Sequence, residues 1–313
     1  MCCSIPGSNT VPKISETTAQ QSKTDFAKEP AHVSNFRYSL RVLLGRKAVV
    51  FGLVIIILLV IMAVFAPLLA PYSPYQTDVK HRLEGPSAQH WLGTDSVGRD
   101  TLSRIIYGSR TSLLVSIVAL FLASSVGMCL GLIAGYTGGI VHAVIMRVMD
   151  ALMAVPMMLL ALTIAATMGG GLTNVVIALG VSLIPAYARL MCGQAMTIKE
   201  GEYVAAARAL GASNFRIAFR HVAPNCFPPL IVLMTMQLGT TVLAEAGLSF
   251  LGIGIKAPQP SWGNLVTDGY KHLTEVPMLS LAPGLAIMLM VIAFNLVGDG
   301  LRDALDPRLK GVI

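Results

Sequence analysis

AVVFGLVIIILLVIMAVFAPLLA, residues 48–70, is the stretch of this sequence that decides its fold. It contains no charged residue, and it is long enough to cross a hydrocarbon core that needs about 20 helical residues. The run begins too far from the N-terminus, and is too long, for a cleaved signal peptide. We therefore expect residues 48–70 to remain in the membrane as the first transmembrane helix.

The composition of the whole chain agrees with this expectation. Hydrophobic residues make up 54% of the 313 and charged residues only 12%, about half of the roughly 25% charged share of a soluble protein. The net charge of +7 comes from basic residues that flank apolar runs. A soluble nucleic-acid-binding protein would gather them into one basic surface, so no nucleic acid is expected as a partner.

Five further apolar runs have the length of a membrane span. They are residues 111–135, 144–168, 172–192, 226–248 and 279–298. None shows the alternation of a barrel strand, and a backbone in lipid must satisfy its own hydrogen bonds, so helices are predicted throughout. The fold class is an all-α integral membrane protein with about six transmembrane helices.

The segments outside these spans complete the predicted organisation. Residues 1–47 form an N-terminal tail that is too polar in most of its length to bury a core, so we expect it to be largely disordered. Residues 71–110 form a segment on the opposite side of the membrane, 111–300 a five-helix domain, and 301–313 a C-terminal tail.

Basic residues predict the orientation of the chain in the membrane. Lys and Arg before the first span favour a cytoplasmic N-terminus. Six crossings then put the loop 193–224 and the C-terminal tail, which are also basic, on the cytoplasmic side. The segment 71–110 carries Lys and Arg on the other side, diluted by Asp and Glu, which is tolerated once the first span is fixed.

The loop EYVAAARALGASNFRIAFRHVAPN, Glu202–Asn225, predicts a helix, a turn and a second helix. Strong helix formers run to Leu210, Gly211 permits the turn, and a second helical stretch leads to Pro224. A short Ala-rich helix fits closely into a groove of another protein, and its arginines can pair with carboxylates there. The alternative is a basic helix lying on the membrane surface.

This loop resembles the EAA loop of bacterial ABC import permeases, which couples them to their ATPase subunits. The resemblance lies in Ala205-Ala206-Ala207, then Gly211, then His221-Val222-Ala223-Pro224. Ala205 stands where the general pattern has Glu, and His221 and Ala223 stand where it has Ile and Leu. On this resemblance, the residues of the ATPase-coupling loop 202–224 are Glu202, Tyr203, Ala205, Ala206, Ala207, Arg208, Gly211, Arg216 and Pro224.

Four other segments resemble the C-type subunit of the dipeptide/oligopeptide permeases. They are LGTDSVGRDTLSRIIYGSRTSL (92–113), MRVMDALMAVPMMLLAL (146–162), EAGLSFLGIGIKAPQPSWG (245–263) and GDGLRDALDPRLK (298–310). The resemblance covers the chain from about residue 40 to the C-terminus and implies the type I ABC importer (MetI-like) fold in a bacterial inner membrane. It also implies a second permease subunit as a heterodimeric partner, two ATPase subunits and a periplasmic peptide-binding protein.

Two residues are candidates for the transport pathway or its gate. Glu245 is a carboxylate near the outer end of the fifth span, where it should face the bundle interior or a wet cavity; a bond to the Gly-rich turn that follows is the alternative. Pro156 interrupts the third span, either as a hinge or as a static kink. Arg147 and Asp150, one turn apart, are expected to form a structural ion pair.

A short helix is predicted at the surface before the second span. Asp100 is its expected N-cap, Ile105 and Ile106 lie on one face, and Gly108 is expected to end it. In the second span, Gly127, Gly131 and Gly135 form a smooth face that allows a close helix neighbour.

No G-x-x-x-x-G-K-[ST] phosphate loop occurs in the sequence, so ATP is expected to be used by partner subunits and no cofactor or metal by this chain. No catalytic motif is present either, so the chain is not expected to be an enzyme. The predicted function is the permease of an importer for short peptides, with nickel, glutathione or opines as alternative substrates. An ion-coupled secondary transporter and a membrane enzyme or anchor remain as rival classes.

Overall fold

The structure, a computed structural model, describes residues 43–305, so most of the predicted N-terminal tail and of the C-terminal tail lies outside the described residues. Within that range the chain is built from helices, with one isolated antiparallel bridge between Thr94 and Asp100. The helices are α1 Lys47–Val64, α2 Ala66–Leu69, a 3₁₀ turn Val79–His81, α3 Thr101–Thr137, α4 Gly139–Met153, α5 Met157–Met168, α6 Leu172–Lys199, α7 Glu202–Ala209, α8 Asn214–Ile217, a π turn Ala218–Val222, α9 Ala223–Phe250, α10 Trp262–Tyr270 and α11 Met278–Leu305.

The prediction of about six membrane spans is confirmed by the described helices. Five of them are long and apolar enough to cross a membrane: α1, α3, α6, the continuous stretch Asn214–Phe250 and α11. A sixth crossing results if the bent pair α4 and α5 is counted as one span. The chain is therefore an all-helical multi-pass membrane protein.

The third span differs from the prediction of one helix over 144–168. It begins earlier, at Gly139, and breaks into α4 and α5 with a bend of 88° between them. Pro156 lies in the break, directly before α5, because proline has no N–H for the helical ladder and its ring collides with the preceding turn. A change of direction this large is a break in the span rather than a kink.

The prediction of a short surface helix before the second span is wrong about where the helix ends and about its exposure. Asp100 does cap the helix, since its carboxylate accepts a hydrogen bond from the Ser103 N–H at 2.7 Å. Gly108 does not end it, and α3 continues to Thr137 as one helix of 37 residues. A Cβ at Gly108 would lie 2.9 Å from the Trp262 ring, so this glycine accommodates a bulky neighbour, and Ile105 and Ile106 are buried inside the protein.

The close helix neighbour predicted for the glycine face of α3 is α6. A Cβ at Gly131 would lie only 2.3 Å from the Ala188 carbonyl oxygen, and one at Gly127 would lie 2.6 Å from the Tyr187 Cβ. The backbones of α3 and α6 are therefore in direct contact, which side chains at these positions would prevent. This pair of helices forms the rigid base on which the loop after α6 rests.

Candidate functional site: the helix–turn–helix loop after α6

The loop after α6 has the predicted helix–turn–helix structure and is packed firmly onto the spanning helices. Its inward side chains, Val204 on α7, Ile217 on α8 and Val222 in the π turn, are fully buried. They belong to one apolar cluster with Tyr187 and Met191 of α6. A displacement of α7 must therefore displace α6 and α9 as well, because densely packed side chains transmit strain.

The turn after α7 depends on Gly211. Its φ of +83° lies in the left-handed region, where a Cβ is costly and glycine is the usual residue. The Ala212 N–H bonds to the Ala207 carbonyl at 3.1 Å, and the Gly211 N–H bonds to the Arg208 carbonyl at 3.0 Å. These two bonds form a Schellman motif, which satisfies the last carbonyls of α7 and fixes the direction in which the chain leaves it.

Pro224 lies where the π turn enters α9. The Ala223 N–H bonds to the Ala218 carbonyl five residues earlier, which widens the turn just before the proline. The wide turn gives room to the Pro224 ring, which would collide with the preceding turn of a regular α-helix. The second helix of the loop therefore passes through Pro224 into the next span without a break.

The outward face of the loop combines small, basic and apolar side chains. Among the predicted coupling residues, the following are exposed: Glu202, Tyr203, Ala205, Ala206, Arg208, Gly211, Arg216 and Pro224; Ala207 is half-buried. The backbone of α7 is thus open to close approach along Ala205 and Ala206. Tyr203 has a structural contact in addition, because its hydroxyl accepts a hydrogen bond from Asn225 Nδ2 at 3.2 Å, which connects α7 to the start of α9.

Two exposed apolar side chains at the loop tip were missed by the sequence reasoning. Leu210 is 89% exposed and Phe215 is 73% exposed, and the rings of Phe215 and Phe219 lie 4.5 Å apart. The signal was available, since large apolar residues on both sides of a glycine turn in a polar loop have no core to enter. These side chains extend the candidate contact surface beyond α7.

A groove separates this loop from the end of α3. Its lining includes Tyr136 of α3, Arg208 of α7, and Phe215 and Phe219. The Tyr136 hydroxyl donates a hydrogen bond to Asn214 Oδ1 at 3.0 Å across the groove. The candidate contact surface therefore includes one end of α3 together with α7 and α8.

Glu245, the candidate pathway residue on α9, is fully buried among protein side chains. It accepts hydrogen bonds from Ser249 Oγ at 2.9 Å and from Ser112 Oγ of α3 at 3.2 Å. The expectation that it faces the bundle interior is confirmed. In this conformation its oxygens are engaged with α3 and with its own helix, so a contact with substrate would require those bonds to open.

A buried ionic cluster lies at the opposite end of α3 from the coupling loop. The Asp95 carboxylate pairs with Arg99 Nε at 2.7 Å and with the buried guanidinium of Arg104. Burial acts to raise the pKa of Asp95, but the backbone N–H groups of Arg99 and Val97 and the charge of Arg104 outweigh it, so the pKa lies below its usual value. The cluster fixes the segment before α3 onto the helix.

The ion pair expected between Arg147 and Asp150 is replaced by one between helices. Asp150 of α4 pairs with Arg189 of α6. This ion pair joins the broken third span to α6, the helix that precedes the loop 202–224. Within residues 43–305 no three His, Cys, Asp or Glu side chains come together in a group that could hold a metal ion.

Pro156, the other candidate gate residue, lies six residues after Asp150, in the exposed break between α4 and α5. The structure thus brings Pro156 and Asp150 into one region of the bundle. It places the coupling loop and Glu245 in two other regions.

Comparison with known proteins relates this arrangement to transport systems. Residues 127–311 match the family "Binding-protein-dependent transport system inner membrane component", and residues 34–86 match the "N-terminal TM domain of oligopeptide transport permease C". The chain is 44% identical to the dipeptide transport system permease protein DppC of Alkalihalophilus pseudofirmus, over 89% of this chain and 91% of that one. It is 44% identical to the glutathione transport system permease protein GsiD of Pectobacterium atrosepticum, over 84% and 87%.

A solved structure shares the fold. An inward-facing form of the MetNI methionine ABC transporter aligns with a TM-score of 0.54 at 20% identity, over 65% of this chain and 97% of that one. At this identity the likeness concerns the fold alone. Together with the family match over more than half of its length, the helical bundle and the loop after α6 show that this chain belongs to the family of binding-protein-dependent transport system inner-membrane components, the permeases of ABC importers.

Proposed function

We propose that this chain is one of two permease subunits of an ATP-driven importer for short peptides, and that its loop after α6 is the docking site for an ATPase subunit. The observation that carries the proposal is the construction of the loop. Its inner side chains, Val204, Ile217 and Val222, are fully buried against the spanning helices. Its outer surface offers exposed Ala, Arg, Leu and Phe side chains to a partner.

The mechanism follows from this two-sided construction. An ATPase subunit that moves on binding ATP would carry α7 with it, and the buried contacts would pass the displacement to α6 and α9. A rigid-body shift of spanning helices is the kind of motion that opens a pathway to one side and closes it to the other. We infer that ATP is bound and hydrolysed by the partner subunits and that this chain holds no cofactor.

The remaining partners follow from the family. The importer would contain a second, similar permease, two ATPase subunits and a periplasmic binding protein that delivers the substrate, all held at a bacterial inner membrane with both termini of this chain in the cytoplasm. An exposed surface of apolar side chains on α1 and α4, including Phe51 and Ile140, is available for lipid and for the second permease.

Short peptides are the substrate class we favour. The two relatives at 44% identity are named for dipeptides and for glutathione, which is itself a tripeptide derivative. Nickel and opines remain alternatives, and the binding protein is expected to decide among all of them. Uptake of radiolabelled dipeptide, glutathione and nickel in cells with and without this subunit separates these options.

The coupling proposal is tested on the complete complex in proteoliposomes. Arg208→Glu is expected to reduce recovery of the ATPase subunits with the permease and to abolish ATP-dependent uptake, because it reverses an exposed charge on the docking face. Arg82→Glu, on an exposed arginine of the 71–110 segment, serves as the control for recovery of the ATPase subunits. Uptake driven by a proton gradient without ATP would contradict the proposal and favour a secondary transporter.

A further inference from the structure

We infer that Asp150 and Arg189 line the translocation pathway and exchange their mutual ion pair for the ammonium and carboxylate termini of the peptide in transit. This inference rests on the proposed function, because it names residues of the pathway through which that peptide passes. It starts from an ion pair whose exposure is unusual for its position.

The pair lies within the apolar runs of two spanning helices. Arg189 is ten residues before Lys199, where α6 ends, which corresponds to about 15 Å of helix. Asp150 is eleven residues after the start of α4 at Gly139, a similar distance along its helix. Both side chains lie within the apolar runs 144–168 and 172–192, toward the end of each run that is nearer the loop after α6.

Both side chains are nonetheless about half exposed in this subunit, 53% for Arg189 and 52% for Asp150. An ionic group on the lipid-facing surface is strongly disfavoured, and ionisable residues within spans face the bundle interior or a water-filled cavity. By contrast, the Asp95–Arg104 pair of the same chain is almost completely buried. The exposed side of the Asp150–Arg189 pair is therefore expected to face water.

The backbone next to Asp150 points to the same conclusion independently. Residues 154–156, between α4 and α5, are exposed and belong to neither helix. Irregular backbone at membrane depth is tolerated only where it is buried in protein or lines a water-filled cavity. Because the break and the ion pair are both exposed in this subunit, we assign them to one water-facing surface, which the second permease would leave open to the pathway.

The chemistry of that surface fits a zwitterion. Asp150 is in the last turn of α4, where free carbonyl groups and the negative end of the helix dipole add to the attraction for a cation. Arg189 offers a planar group that binds a carboxylate with two parallel hydrogen bonds. A short peptide carries one charge of each sign, so it can replace each half of the pair without leaving an ion unpaired.

The water-facing position is tested by thiol accessibility in the assembled transporter. Asp150→Cys is placed in a chain whose native cysteines are replaced by serine and is treated with a membrane-impermeant, positively charged methanethiosulfonate reagent. Val148→Cys is the control, since Val148 is also half exposed but lies on the opposite side of α4. We expect rapid modification at 150 and slow modification at 148; no reaction at 150, or equal reaction at both, would overturn the assignment.

The contact with peptide termini is tested by protection. A linear dipeptide is expected to slow modification at 150, whereas the cyclic dipeptide of the same composition, which has no charged termini, is expected to have no effect. Equal protection by both, or none by either, would contradict the contact. Dipeptide uptake by the parental complex is measured alongside, so that failure of the proposed function is recognised separately.

Charge-neutral variants complete the test. Asp150→Asn and Arg189→Gln are expected to slow dipeptide uptake by about tenfold or more, because each removes a charge-assisted hydrogen bond. Arg46→Gln breaks an ion pair between the residue before α1 and Asp303 of α11, and is expected to leave uptake unchanged. Equal effects at both pairs would indicate a structural role and would refute a contact with substrate.

Discussion

Gly211 provides the sharpest test of the coupling loop, because a substitution there changes the backbone conformational energy without a steric clash of the new side chain. A Cβ built at Gly211 meets no atom within 4 Å, while the φ of this residue is +83°. Gly211→Ala therefore introduces no steric overlap. Its entire effect comes from placing an L-residue in the left-handed region, at a cost of about 1–2 kcal/mol.

That cost has a defined consequence for transport. A strain of about 1–2 kcal/mol shifts a conformational equilibrium by about 5- to 30-fold. The exposed loop tip is free to relax by breaking the Schellman bonds, which redirects α8 relative to α7. If ATPase docking requires the native angle between them, the uptake rate of Gly211→Ala falls by up to that factor, with equal amounts of protein in the membrane.

Two further variants make the result interpretable. Gly211→Asn should retain most of the activity, because Asn enters the left-handed region more readily than Ala. Gly193→Ala is the matched control, since Gly193 is exposed in α6, has nothing within 4 Å of its Cβ position and has an ordinary helical backbone. ATP-dependent uptake of labelled dipeptide in proteoliposomes is the assay. Uptake that is equal in the Ala and Asn variants, or reduced equally by Gly193→Ala, would refute the reasoning.

Three more outcomes follow from the packing and the charges. Gly131→Ala should lower the thermal midpoint of the purified protein, because overpacking α3 against α6 costs about 1–3 kcal/mol. Gly284→Ala is the control and should leave the midpoint unchanged, because a Cβ there meets nothing within 4 Å. Equal midpoints for the two variants would contradict the α3–α6 contact. Asp95→Ala should destabilise by about 3 kcal/mol or more, because it leaves the buried guanidinium of Arg104 with only the carboxylate of Asp268, at 3.9 Å, as an acidic partner. Because the pKa of Asp95 is depressed in the folded protein, its contribution to stability should be complete above about pH 4 and be lost as the pH falls below that. A difference in stability between the parental protein and Asp95→Ala that changes between pH 6 and 8 would refute this pH dependence. Glu245→Gln should preserve folding and uptake if the residue serves only to join α3 and α9, and loss of uptake with unchanged thermal stability would show a role in the pathway.

Much of the fold could be predicted from hydropathy alone. The run at 48–70 and the five later runs correspond to helices or to the broken pair α4 and α5, because a backbone in lipid has no alternative to satisfying its own hydrogen bonds. The helix–turn–helix loop was also predictable, since Ala-rich helix formers followed by Gly211 leave little conformational choice. For the same reason the cap at Asp100 was identified correctly from its local pattern.

The errors occurred where a residue serves a distant neighbour. Gly108 has the local signature of a helix end, yet α3 continues through it because Trp262, more than 150 positions later in the chain, packs on the bare backbone there. Asp150 has an arginine one turn away, yet it pairs with Arg189 on another helix. Pro156 indicated an interruption, but its size, a bend of 88°, depends on the helices packed around it.

The sequence by itself determined that this chain is a membrane-embedded helical bundle with an interaction loop, because hydropathy, capping and turn preferences act over a few neighbouring residues. Only the tertiary structure decided which faces meet: glycines of α3 against α6, Leu210 and Phe215 left at the surface, and an ion pair exposed beside a broken span. These outcomes depend on contacts between residues far apart in the chain, whose free energies come from packing and desolvation that no local pattern encodes.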